Sequence, residues 1–170
     1  MNRRHLLTLS ATTALGLALL AGSAVGQQKT LKEQVSGAWT IVSTEQTAAD
    51  GKKNQMFGAN PKGILVLHPS GQYVQMIVRP GVEKFKANSR VQGTPEENTA
   101  AMLATTANFG TWSIDEASKI ITVRIEGGLF PNQVGTESKR TVSVTGDEMK
   151  ITNPATGSGM TANNVWKRAE

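Results

Sequence analysis

The sequence predicts an all-β domain, about eight antiparallel strands closed into a barrel, with a short N-terminal helix and a second helix across one mouth. Three observations carry that expectation. Short runs of β-branched and aromatic residues recur between Gly, Pro and Asn turn signals. A capping signature, Thr94-Pro95-Glu96-Glu97, opens one clear helical stretch. The length, 170 residues, makes one domain once a targeting segment is set aside, large enough to bury a real core.

Residues 1–26 have the three parts of a secretory leader: Arg3 and Arg4, then an apolar run over residues 15–20 preceded by Leu6, Leu7 and Leu9, then small residues. Gly22-Ser23-Ala24 and Ala24-Val25-Gly26 both place small residues where a signal peptidase reads them. Cleavage is expected after Ala24 or Gly26, leaving residues 27–170 as the domain. The paired arginines before Leu6 and Leu7 also fit a twin-arginine leader loosely, so the export route stays open. The apolar run is too short and too interrupted by Thr and Ser for a membrane span, and no cysteine follows it to carry a lipid. The expectation is a periplasmic or extracellular protein with no stable membrane anchor.

Along the remaining chain, Leu31 and Val35 stand four apart between polar residues, the mark of a short amphipathic helix plugging one end. Gly37 breaks it, and residues 39–44 start the first strand on Trp, Ile, Val and Thr. Asp50-Gly51 is a turn, and Pro61 holds Asn60 extended. Ile64-Leu65-Val66-Leu67 reads as a strand covered on both faces. Pro69-Ser70-Gly71 turns it into residues 72–79, where Val74, Met76 and Val78 share one face and Tyr73, Gln75, Ile77 and Arg79 the other. The connection after Pro80 is too long to be structureless. Ala100, Leu103, Ala104 and Ala107 form one apolar stripe, which extends the helix over residues 95–107. Phe109-Gly110-Thr111-Trp112 and residues 119–128 are the next two strands, and Phe130-Pro131-Asn132 is a corner before the strand that contains Arg140. Residues 148–152 and 161–168 complete the set, separated by a Gly-rich loop.

Composition removes several chemistries. With no cysteine there are no disulfides, thiolate nucleophiles or zinc-thiolate sites. Outside the leader only His68 remains, which cannot build a poly-His metal site. Sixteen basic residues against thirteen acidic ones, a net charge of about +3 scattered along the chain, give no footprint for nucleic acid. There is no nucleophile elbow, P-loop or dinucleotide fingerprint, so no catalytic residue, metal or cofactor is assigned.

The residues that stand out are two Gly-x-Trp units, Gly37-Ala38-Trp39 and Gly110-Thr111-Trp112. Glycine permits a tight bend at a strand entrance and the indole supplies a large apolar plug. Arg168 on the last strand is placed to stack on Trp39, a structural cation–π contact worth about 0.5–2 kcal/mol. His68, before Pro69, reads as an exposed turn residue. Arg124 and Glu126 share a strand face with Ile120 and Thr122, opposite Ile121, Val123 and Ile125. Turned inward they would form a paired charge able to hold a carboxylate or polarise a carbonyl. The isoleucine-valine row makes the better core, which favours the outward orientation. Asp115-Glu116 and Glu96-Glu97 read as a turn and a helix start.

Taken in order, residues 37–43, 58–63 and 109–112, Leu129-Phe130-Pro131-Asn132-Gln133-Val134-Gly135-Thr136 followed by Arg140, and Val165-Trp166-Lys167-Arg168 resemble the lipocalin-like domain of bacteria and fungi, over residues 35–168. The resemblance implies a calycin-type barrel with an interior for a small hydrophobic molecule. Such relatives often carry a histidine on the strand after the Gly-Thr-aromatic unit; this chain has Thr122-Val123-Arg124-Ile125 there instead. The leading expectation is an exported protein that binds or carries a small hydrophobic molecule, with Tyr73, Met76, Arg79, Trp112, Arg124, Ile125 and Phe130 as candidate wall or mouth residues and Trp39 and Arg168 as structural ones. A cyclase- or isomerase-type enzyme using Arg79, Arg124 or Glu126, and a filled barrel acting through its surface, are the alternatives.

Overall fold

The computed structural model describes residues 29–156 and 158–170. The expected leader and its cleavage site lie outside them.

The chain enters through helix α1 (Leu31–Val35). A helix this short leaves most of its backbone groups without intrahelical partners, so it exists only where other groups satisfy them. At its start Thr30 and Glu33 form a reciprocal capping box, and the Glu116 carboxylate accepts from the Leu31 and Lys32 amides at 2.8 and 2.9 Å. At its end the Trp39 indole donates to the Val35 carbonyl at 2.8 Å. The Arg168 guanidinium donates to the Ser36 carbonyl at 3.1 Å and also to that of Gln34.

Nine strands follow: β1 (Gly37–Thr47), β2 (Lys53–Asn54), β3 (Lys62–Leu67), β4 (Gln72–Val78), β5 (Thr105–Asp115), β6 (Ile120–Gly128), β7 (Glu137–Thr145), β8 (Glu148–Asn153) and β9 (Thr161–Arg168). Helix α2 (Pro95–Leu103) precedes β5, and a single 3-10 turn, Pro131–Gln133, precedes β7. Eight strands close in the order β1-β3-β4-β5-β6-β7-β8-β9, with β9 returning to β1, and every pairing is antiparallel. Closure leaves no free edge in the barrel itself. The short β2 is an extra strand on the end of β1, through Gln46–Asn54 and Thr47–Lys53.

Two irregularities in the ladders matter. Between Ile41 and Ser43 the β1–β9 register shifts by a bulge, so Trp39 and Ile41 face inward, then Val42 and Ser43 both face out, and Thr44 and Gln46 face in. A second shift falls between Phe109 and Gly110, where a Cβ on Gly110 would overlap the Arg124 carbonyl oxygen. Only glycine fits that approach.

The interior divides into two halves. Towards α1 it is filled: Trp39, Trp166, Met149, Leu67, Ile121 and Val35 are all but completely buried. These are the inward phase of their strands, and burying side chains of this size stabilises by about 1.5–3 kcal/mol each. Towards α2 the inward residues become polar, and a cavity opens.

Helix α2 is shorter than the stripe over residues 95–107 suggests. Thr94 and Glu97 form its capping box and Pro95 takes the first turn. It stops at Leu103 because Thr105, Thr106 and Ala107 pair with Val78, Ile77 and Met76 on β4. The strand partner outweighs helix propensity there. Alanine at 104 is buried at the junction, but no residue within α2 is.

Candidate functional site

The open end of the barrel holds a cavity of about 320 Å3. Its wall comes from the ends of β1, β4 and β8, the first halves of β5, β7 and β9, α2 and the 3-10 turn, which meet at this mouth. Met102, Leu103 and Phe130, all exposed, form an apolar rim. Deeper, the buried side chains of Thr44, Gln46, Gln75, Asn108 and Arg140 make a polar floor, with Phe57 and Ile77 between them.

Arg140 is the one charged residue among the described lining residues. It is 9% exposed, and no carboxylate among the described residues lies within 4.0 Å of it. Its protein partners are neutral and long: Nη1 donates to Gln75 Oε1 at 3.4 Å and Nε to Ser138 Oγ at 3.3 Å. Glu137 shares a second hollow with Arg140 on the flank of β7, but its carboxylate is turned to Arg124 Nη1 at 3.5 Å on the outer surface. Burial draws the Arg140 guanidinium below its ordinary pKa, while nearby Tyr73 opposes that shift. A guanidinium nevertheless keeps its proton in proteins, so the floor carries a buried positive charge.

Tyr73 is buried beneath this floor and its hydroxyl donates to Asn108 Oδ1 at 3.0 Å. Burial pushes its pKa up; the Arg140 charge pulls it back and Glu126 adds to the rise. Two more wall groups, Thr44 Oγ1 and Gln46 Oε1, are buried without a hydrogen-bond partner. The Gln46 amide can present either its oxygen or its nitrogen at that point by a flip.

The other residues singled out from the sequence fall in different places. Ile125 is buried on the inward phase of β6 and borders the flank hollow beside Arg140. Phe130 is on the rim. Met76, expected on the wall, is 45% exposed on the outer face, because Tyr73, Gln75 and Ile77 occupy the inward phase of β4. Arg79, expected among the cavity residues, lies just past the end of β4; its side chain is exposed and its backbone N–H donates to the Ala104 carbonyl at 2.8 Å. Arg124, the other arginine expected there, is on the outer face of β6, as is Glu126, so the polar pair on which a catalytic reading relied is not in the cavity. Trp112 is at the closed end, where its indole donates to the His68 carbonyl at 2.9 Å and Lys32 Nζ sits 5.9 Å from its ring centroid. There too the Arg168 guanidinium lies 4.2 Å over the Trp39 ring. His68 is an exposed turn residue whose Nδ1 accepts from the Ser70 amide at 3.2 Å.

Sequence reading named Arg140 only as part of a resemblance and missed its place on the floor. The signal was present: Ser138, Arg140, Val142 and Val144 alternate with Lys139, Thr141 and Ser143, so the arginine shares the phase of two valines. Thr44 and Gln46 carried no such signal, because the bulge reverses the phase of β1 between them and Trp39.

Among solved structures, a crystal structure of a lipocalin-like protein from Bacteroides uniformis is similar at 11% identity and a TM-score of 0.40, over 80% of this chain and 99% of that one. No curated protein matches the chain. The model of the lipocalin-like domain family matches residues 36–169, the whole of the barrel from the turn after α1 to the end of β9, and the chain therefore belongs to that family.

Proposed function

We propose that the protein is an exported binder or carrier of a small organic molecule, held in the open half of its barrel. The observation that carries this reading is the cavity of about 320 Å3 with an exposed apolar rim and a buried polar floor. Ligand pockets of about 300–1,000 Å3 combine apolar walls with a few fixed polar groups in this manner. The lining favours an amphipathic ligand over a purely hydrophobic one, since an alkane-like molecule would bury the floor's polar groups without replacing their hydrogen bonds. The positively charged start, apolar run and small residues of positions 1–26 support export.

Native mass spectrometry of the protein purified from its own host should show a retained small molecule, and the purified barrel should bind a fluorescent fatty-acid analogue. A protein that comes out empty and also fails to bind the analogue would sink the reading. For export, N-terminal sequencing of the mature protein should begin at Val25 or Gln27. Protein found only inside the cytoplasm with Met1 in place removes that part.

A further inference from the structure

We infer that the ligand is an amphipathic monocarboxylic acid that enters head first, its carboxylate paired with Arg140 on the cavity floor and its apolar body resting against Met102, Leu103 and Phe130 at the rim. The inference rests on the cavity being a binding site and adds to it the ligand's chemical class and orientation.

Two features of the site argue for it. Arg140 is buried yet faces no carboxylate among the described residues, and its two protein hydrogen bonds, to Gln75 and Ser138, are long and made to neutral oxygens. Removing a cation from water costs several kcal/mol in a real protein unless charge or strong hydrogen bonds offset it, so a buried arginine without an anion is a site prepared for one. A guanidinium meets a carboxylate through two parallel N–H···O bonds, which fixes orientation as well as supplying affinity. Thr44 Oγ1 and Gln46 Oε1 line the same cavity, buried without partners. The hydroxyl can donate to the acceptor-only oxygens of a carboxylate, and a flip of the Gln46 amide, which gives up a long contact of its nitrogen with Met56 Sδ at 3.9 Å, would present a second donor.

The gradient of polarity sets the direction of entry. Apolar side chains are at the exposed rim and polar ones at depth. A tail-first molecule would put hydrocarbon on Arg140 and leave its anion among Met102, Leu103 and Phe130. Head-first entry satisfies both ends.

The test is isothermal titration of the protein with decanoate, decan-1-ol and decyltrimethylammonium, which share one chain and differ in the head. Decanoate should bind at least about tenfold more tightly than the alcohol, the weight of a hydrogen-bonded charge, and the ammonium should not bind. In Arg140→Met decanoate should fall to the level of the alcohol while the alcohol is unaffected. In Arg140→Lys the preference for decanoate should survive in weaker form, because the cation remains but the two-pronged geometry is lost. Orientation is read from tryptophan quenching, since Trp39, Trp112 and Trp166 are all buried in the filled half of the barrel. Decanoate brominated beside its carboxylate should quench more than decanoate brominated at the far end. Equal affinity for acid and alcohol, undiminished decanoate binding in Arg140→Met, or the reverse quenching order would overturn the inference while the cavity reading stands. If none of these molecules nor the fluorescent analogue binds, both fall together.

Discussion

Tyr73 is the single tyrosine of the chain, which makes it a built-in gauge of the cavity's charge. Burial raises its pKa and the Arg140 cation partly counteracts that rise. An absorbance titration should therefore place its midpoint above the ordinary tyrosine value of about 10, and Arg140→Met should move it higher still. The sign for stability follows. A phenol whose folded pKa is raised contributes stability that is present below the unfolded value and is lost as pH rises through the folded one. The same arginine is a burden on the fold. Replacing it with methionine, an unbranched, flexible apolar side chain that needs no counter-ion, should stabilise the protein by about 1–4 kcal/mol in urea unfolding. A gain in stability with a loss of acid binding would mark Arg140 as retained for binding and not for folding.

At the scale of elements, the two helices do opposite things. Helix α1 is held at every exposed backbone group that matters, by Thr30, Glu33 and Glu116 at one end and Trp39 and Arg168 at the other. Arg168→Ala removes two carbonyl partners and the contact over Trp39, and should cost about 2–4 kcal/mol in urea unfolding. That is less than the simple sum of a cation–π contact and two charged hydrogen bonds, because Arg168 is half-buried and water takes over part of what it gives. Glycine at 37, with φ +124° and a Cβ position 3.1 Å from Arg168 Nη1, lets that arginine lie close. Helix α2 buries no residue and is tied mainly through Glu97, whose carboxylate accepts from the Lys86 and Thr94 amides at 2.9 Å each. Those bonds hold the Glu97 pKa below the usual glutamate value, the Lys86 one most. Its contribution is thus present above the unfolded pKa and lost as pH falls through the folded one. In an NMR titration the Glu97 midpoint should lie below that of glutamate in an unfolded peptide, and Glu97→Gln should release residues 86 and 94 to faster amide exchange. The capping box of α2 was legible as a Thr-x-x-Glu pattern and α1 as a short amphipathic run, because both are local signals. The end of α2 was not, because it is set by strand pairing to β4, which no local window contains.

The molecule as a whole separates stability from binding. Its closed half is packed with tryptophan, methionine and branched aliphatics, so its contribution to folding does not depend on what the open half contains. Strand alternation made the barrel legible, since every inward row in the closed half is apolar. The open half broke that pattern with Thr, Gln, Asn and Arg on inward positions, and it is there that Met76 and Arg79 were misplaced. The outer face between β3 and β5 carries its own apolar row, Ile64 across from Met76 and Val74 across from Phe109. Since Met76 belongs to that face, Met76→Lys should leave decanoate affinity unchanged in the same titration.

The bulge in β1 decides the sign of the interior. A strict two-residue repeat from Trp39 and Ile41 would have turned Ser43 and Glu45 inward. The single extra residue reverses the parity, sends Thr44 and Gln46 to the wall, and leaves Glu45 outside, where it meets Lys53 of β2 at 3.0 Å. Had the parity held, a carboxylate of the protein's own would line the chamber that contains Arg140, a built-in competitor for any incoming acid. One inserted residue, far from the arginine in sequence, thus keeps the chamber's charge uncancelled.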